Sequence, residues 1–227
     1  MSFGLSVRND SSYIQIDSET PRLCALYSGS YAASGSSNVT VNFPAPITTS
    51  EPPCIFIRNS PSQPDVLYMG MYVLGSAGNW TGFRIEAANV TWRPAGKWFV
   101  AVFASMSSAS WGLRMWDANG AVIYDSGATP VIFTKASNSW SYQGQVTLTL
   151  GRAYYYRSGL IGGIASDEYF MINPFSRKQL TPQHEVSNTA GVRFNYAENR
   201  LQMYVLGTSA WTSMGSPGSV FARLPGT

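Results

Sequence analysis

Trp111-Gly112-Leu113-Arg114-Met115-Trp116-Asp117-Ala118-Asn119-Gly120-Ala121-Val122-Ile123-Tyr124-Asp125-Ser126-Gly127 is the stretch on which the reading of the chain turns. Gly112 to Asp117 alternates Leu113 and Met115 with polar or surface-type neighbours, and Ala121 to Tyr124 is β-branched and aromatic. Between them stands Asn119-Gly120, the pair that most readily accepts positive φ at both central positions of a type I′ turn. Asp125-Ser126-Gly127 marks the exit from the second strand. The stretch predicts a β-hairpin.

The same pattern opens the chain. Phe3 aligns with Trp111, Gly4 with Gly112, Leu5 with Leu113, Val7 with Met115, Ile14 with Val122, Asp17 with Asp125 and Ser18 with Ser126, each pair 108 residues apart. A shift near half the chain reads as an internal duplication rather than an array of short repeats. Weaker echoes follow in the same order. Phe56-Ile57-Arg58-Asn59 resembles Phe170-Met171-Ile172-Asn173, and Gly82-Phe83-Arg84-Ile85 resembles Gly191-Val192-Arg193-Phe194. Each half also closes on an apolar run, Trp98 to Ala104 and Leu201 to Leu206. The expectation is two tandem, duplicated, β-sandwich-like domains, 1–108 and 109–227, parting near Ser107–Ser110.

Composition agrees with β structure. Hydrophobic residues make up 44% and aromatics 14%, with 21 Gly and 13 Pro spread along the chain and no sustained helical periodicity. The class read from the sequence is therefore all-β with little helix. Charged residues reach only 12%, about half the usual quarter for soluble domains, which suits a surface covered by partner subunits and equally a Ser/Thr/Asn-rich β surface that stays soluble without charge. The formal net charge of +3 comes from scattered Lys and Arg, so no basic stripe for nucleic acid is expected. No run approaches the roughly 18–20 apolar residues of a membrane span. Met1 to Arg8 lacks a basic segment followed by a hydrophobic core, which points to synthesis in the cytoplasm.

Catalysis finds little support. His184 is the one histidine, and it lies in the polar stretch Pro174 to Asn188 beside Arg177, Lys178 and Glu185. A nucleophile activated by an imidazole would have to recruit that residue. Asp167-Glu168 are adjacent and would point to opposite faces of a strand, while Glu86 and Glu185 are isolated. Asp17 and Asp125 read as turn-closing carboxylates that accept local backbone N–H groups. Asp117-Ala118-Asn119-Gly120 starts like a calcium loop but lacks the later ligands. Cys24 and Cys54 sit in apolar runs as small buried hydrophobes, and two thiols with one histidine do not furnish a four-ligand zinc site. Gly159 to Gly163 is no phosphate loop, since no Lys-Ser/Thr follows. The expectation is a non-enzyme with no cofactor and no metal. Aromatic side chains are the abundant resource. Trp80, Trp140, Tyr142 and Trp211, in or beside polar turns, are the candidate contacts to a partner protein or a glycan.

The duplicated phrase, an aromatic then Gly-Leu-x-Val and a closing Asp-Ser, is similar to the opening of small β-rich tail-tip and tail-fibre-associated structural proteins of tailed bacteriophages. It stands here as Phe3-Gly4-Leu5-Ser6-Val7-Arg8-Asn9 and as Trp111-Gly112-Leu113-Arg114-Met115-Trp116-Asp117. The likeness covers the two hairpins, and the first copy departs from it with Ser12 where Gly120 stands. It carries over no catalytic residues. It implies a virion component of the tail tip or baseplate that acts by protein–protein assembly, with other tail proteins as partners and copies of itself in a symmetric oligomer. The alternative is a host-surface glycan-binding, receptor-binding module that uses the aromatic loops.

Overall fold

Alternation of apolar and polar residues carries most of this chain into strands, because successive side chains on a strand point to opposite faces. The structure is a computed structural model. It describes residues 6–8, 10, 14–17, 22–62, 66–89, 91–104, 110–117, 119–120, 122–148, 151–176, 179–180, 186–188, 190–206 and 217–227. The first half of the chain runs through β1 (Ser6–Arg8), β2 (Ile14–Asp17), β3 (Leu23–Ala32), β4 (Asn38–Ile47), β5 (Cys54–Asn59), β6 (Leu67–Ser76), β7 (Asn79–Ala87) and β8 (Ala95–Phe103). The second half starts with β9 (Arg114–Trp116), β10 (Val122–Asp125), β11 (Thr129–Pro130), β12 (Ile132–Ser137), β13 (Trp140–Leu148) and β14 (Gly151–Ser158). It ends with β15 (Tyr169–Met171), β16 (Gln179–Leu180), β17 (Val186–Asn188), β18 (Ala190–Asn195), β19 (Arg200–Leu206) and β20 (Ser219–Arg223). A single 3-10 turn, Asn173–Phe175, is the helical content among the described residues. The fold is all-β.

The two hairpins of the repeated phrase match strand for strand. β1 and β9 begin and end 108 residues apart, as do β2 and β10. Their pairing matches too: Ser6↔Asp17, Val7↔Ile16 and Arg8↔Ile14 become Arg114↔Asp125, Met115↔Tyr124 and Trp116↔Val122, with the irregularity at the same rung. Each forms a two-stranded sheet of its own. The expected type I′ turn is displaced by one residue. The closing bond runs from Gly120 N–H to Asp117 C=O at 3.1 Å, one residue earlier than a turn centred on Asn119-Gly120 would place it, and Gly120 has φ of +83°. Asp117 accounts for the displacement, since its Oδ1 accepts the Asn119 N–H at 2.8 Å and nucleates the turn one position early.

The remaining long strands form two seven-stranded antiparallel sheets, ordered β11-β3-β8-β5-β15-β20-β12 and β13-β14-β19-β18-β6-β7-β4. Residues 1–108 and 109–227 both feed both sheets, so the two halves share one sandwich-like core. Their pairing diagrams mirror each other. β3-β8-β5 meets β12-β20-β15 along the β5–β15 seam, and β4-β7-β6 meets β14-β19-β18 along the β6–β18 seam. Each half visits these strands in the same chain order, and among the described residues β11, β13 and the small β16–β17 sheet occur in the second half alone.

This topology sorts the weaker echoes. β5 and β15 do correspond, but Phe56 faces outward and Phe170 inward, so the quoted alignment is one residue out of phase; a one-residue slip exchanges the faces of a strand. Gly82–Ile85 lies on β7, whereas Gly191–Phe194 lies on β18, the counterpart of β6. Trp98 is on β8 of one sheet and Leu201 on β19 of the other, so those two runs are not counterparts either.

Inward-facing residues of both sheets build the main core, among them Ile55, Ile57, Val100, Phe170 and Phe221 from the first sheet and Phe83, Ile85, Val192, Phe194 and Met203 from the second. Phe170 is at its centre, with Phe175, Phe194 and Phe221 rings at 5.3–5.5 Å. Full burial of each such side chain is worth about 1.5–3 kcal/mol. Strand β8 is buried on both faces from Trp98 to Val102, as its unbroken apolar run predicts. Pro44 and Pro46 lack an N–H, and β4, an edge strand, loses register with β7 between Asn42 and Ile47.

Polar groups inside the sandwich find one another. Tyr68 Oη donates to Asn59 Oδ1, Tyr31 and Tyr68 hydroxyls lie 3.2 Å apart, and Tyr196 Oη donates to the Asn59 carbonyl at 3.0 Å. Burial pushes the Tyr31 and Tyr68 hydroxyls well above the ordinary tyrosine range and Tyr196 up to about 12, so all three stay protonated hydrogen-bond donors.

Candidate functional site

Two features stand out from the scaffold: the β9–β10 hairpin and a hollow on the outer face of the second sheet. In the hairpin, the residues of the repeated phrase do structural work. Asp125, buried, accepts the Gly127 N–H at 2.8 Å through Oδ1 and the Arg114 Nε–H at 2.8 Å through Oδ2. The Gly127 N–H first, and Arg114 second, hold its carboxyl below the ordinary carboxylate value. Ser126 returns to Leu113 twice, its Oγ accepting the Leu113 N–H at 3.1 Å and its N–H donating to the Leu113 carbonyl at 2.9 Å. Gly112 has φ of +136°, and a Cβ there would strike Ser126 Oγ, which is why glycine precedes the leucine.

With Ile123 turned in, the other side of this hairpin is left bare. Trp111 is 86% exposed, Leu113 50% and Trp116 56%. They surround a hollow of about 380 Å³ floored by Arg114 and Asp125. Isolated apolar residues on a surface are ordinary, but two tryptophans and a leucine on one rigid hairpin form a patch.

The second feature is a hollow of about 600 Å³, within the range of about 300–1,000 Å³ typical of small-ligand sites. Its floor is the outward face of β14, β19 and β18. Tyr155 and Tyr204 are direct register partners whose rings stack at 5.6 Å and 19°. On the neighbouring rung Gln202 pairs with Arg193. Asn195 Nδ2 donates to Gln202 Oε1 at 3.4 Å, and Asn195 Oδ1 accepts the Glu198 N–H at 3.1 Å. Val146 and Leu148 of β13 form one wall and Trp92 another. Past Glu198 the hollow adjoins a second one of about 420 Å³, lined by Arg157, Asn199 and Arg200. Glu198 itself pairs with Arg200 at 3.2 Å.

Among the described residues, the aromatic positions singled out from the sequence are split between β7, which holds Trp80, and β13, which holds Trp140 and Tyr142. Trp80 is half-buried at the start of β7, its Nε1–H donating to the Thr49 carbonyl at 2.9 Å. Trp140, half-buried, donates from Nε1 to the Pro217 carbonyl at 2.8 Å and meets Phe175 edge-on. Both seal the sandwich core, where an indole can satisfy its one donor locally. Tyr142 is 56% exposed with its ring beside Tyr156. Trp211, His184 and Glu185 lie outside the described residues. Trp111 and Trp116, read only as hairpin residues, are the exposed tryptophans among the described residues. Their signal was present: in a two-stranded hairpin outside the main sheets, a tryptophan has little core to enter.

The carboxylates are dispersed. Asp167 pairs with Arg223 at 2.7 Å on the surface, while buried Glu168 pairs with Lys135 at 2.6 Å and accepts the Ala165 N–H at 3.1 Å. Burial alone would raise the Glu168 carboxyl, but the Lys135 ammonium and the Ala165 N–H outweigh it and hold the group below its ordinary value. Glu86 pairs with Arg84 at 2.5 Å. Cys24 and Cys54 are not joined in a disulfide, and burial pushes the Cys54 thiol up. Among the described residues no group of three potential metal ligands occurs, and no helix is long and apolar enough to cross a membrane. No family model matches the chain, and neither a curated protein nor a solved structure is significantly similar to it.

Proposed function

We propose that this chain is a structural component of a bacteriophage tail tip or baseplate, working through protein–protein assembly within the virion. The observation that carries the reading is the rigid hairpin that keeps Trp111, Leu113 and Trp116 in solvent. Large apolar side chains preorganised on an exposed element are what hot spots of an interface are made of. The hairpin's phrase, present twice, is also the part of the sequence that resembles phage tail proteins. Neighbouring subunits, including further copies of the chain in a closed ring, cover the patch.

The test is the mass of the purified protein by light scattering, together with antibody labelling of phage particles viewed by electron microscopy. The expected result is a stable oligomer that Trp111→Ala with Trp116→Ala weakens by about tenfold or more without lowering the melting temperature, and label at the tail end. A chain that remains monomeric, labels no particle, and is indifferent to both substitutions sinks the reading.

A further inference from the structure

We infer that the hollow on the outer face of the second sheet is a binding groove for a short, neutral oligosaccharide. A pyranose presents a C–H face and a rim of hydroxyls, each both donor and acceptor. The groove offers the matching pair of surfaces. Tyr155, half-exposed over its stacked partner Tyr204, and Trp92 supply ring faces. Gln202 and Asn195 supply amides that donate and accept from one side chain.

Gln202 is 8% exposed. Its Oε1 accepts the Asn195 Nδ2–H at 3.4 Å and keeps a second lone pair, while its Nε2 carries two donors for an incoming hydroxyl. Arg193 and Glu198 bring one charge of each sign to the groove, and Glu198 offsets Arg200 where the two hollows meet, which suits hydroxyl recognition over an acyl chain. An added peptide strand would need a sheet edge, whereas this is a sheet face. The adjoining hollow past Glu198 gives the ligand length. Glu198 is the single carboxylate among the described residues that line the groove, one short of the pair that glycoside hydrolysis takes.

The duplication supplies an independent argument. β13 has no counterpart in the first half, and β13 is the strand whose Val146 and Leu148 wall the groove. The groove's β13 wall is therefore a feature of one half alone among the described residues. The site is separate from the Trp111 hairpin and does not rest on the assembly reading.

The experiment is calorimetric titration of the full chain with maltohexaose, xylohexaose, mannohexaose and the β-1,4-linked hexamer of N-acetylglucosamine, with tryptophan fluorescence as a second readout. At least one sugar is expected to bind saturably. Tyr155→Ala and Gln202→Ala each weaken it by about tenfold, Tyr155→Phe retains it, and Trp111→Ala leaves it unchanged. Circular dichroism checks that each variant is folded. Failure of all four sugars to bind overturns the proposal, as does binding that both Tyr155→Ala and Gln202→Ala leave intact. Shortened sugars in the titration cell overturn it too, since the groove would then hydrolyse rather than hold.

Discussion

Tyr68 shows how a single hydroxyl can tie two sheets. It is fully buried on β6, yet its Oη reaches Asn59 at the end of β5 in the opposite sheet and lies beside the Tyr31 hydroxyl of β3. Asn59 is buried as well and offers a side-chain oxygen that water cannot serve. Tyr68→Phe keeps the ring and removes that donor, so its expected cost is about 0.5–1.5 kcal/mol, read as a lower urea midpoint at unchanged slope. Tyr142→Phe, on an exposed ring, is the control and should move stability by no more than about 0.5 kcal/mol. Sequence alone marks neither role. A tyrosine on an apolar strand looks the same whether its hydroxyl finds a partner or reaches solvent, because the partner here comes from a strand of the other sheet.

At the scale of the element, the β9–β10 hairpin depends on one ionised carboxylate. Asp125 titrates below its ordinary value because its charged form accepts the Gly127 N–H and the Arg114 guanidinium. Its stabilisation is therefore complete above the unfolded carboxylate value of about 4 and disappears as pH falls from there through the lowered folded value. The expected outcome is an acid transition in tryptophan fluorescence below about pH 4 as Trp111 and Trp116 lose their fixed setting. Asp125→Asn should show that altered signal already at neutral pH and lose most of its acid dependence. A transition of equal size in the variant would assign the change to other acids, Glu168 first, since its carboxyl is also held low. This element was legible in advance because it is local. Strand, turn and closing carboxylate all lie within the stretch from Trp111 to Gly127. Only the turn type was misjudged, since Asn119-Gly120 states its own preference while Asp117 overrides it from one step upstream.

For the molecule as a whole, the duplication was legible while its consequence was not. Sequence similarity identifies two copies but says nothing about whether each closes its own core. The β5–β15 and β6–β18 seams show the copies sharing theirs. Neither 1–108 nor 109–227 expressed alone should give a cooperative melting transition, because each would expose half of the main core, whereas the two co-expressed should recover one. A cooperative transition from either piece alone would contradict this. The groove was invisible in the sequence for a related reason. Tyr155, Arg193, Gln202 and Trp92 come from separate strands and loops, and only pairing in register sets them side by side.

The shared core also fixes how copies can be counted. Two identical chains meeting about a dyad must duplicate every surface feature that lies off the axis, so such a pair carries off-axis grooves in even number or none. Joining the partners into one polypeptide releases that constraint, and this chain carries two hairpins of matching register but one β13 wall. A closed ring of such chains presents hairpins and grooves in a ratio of two to one.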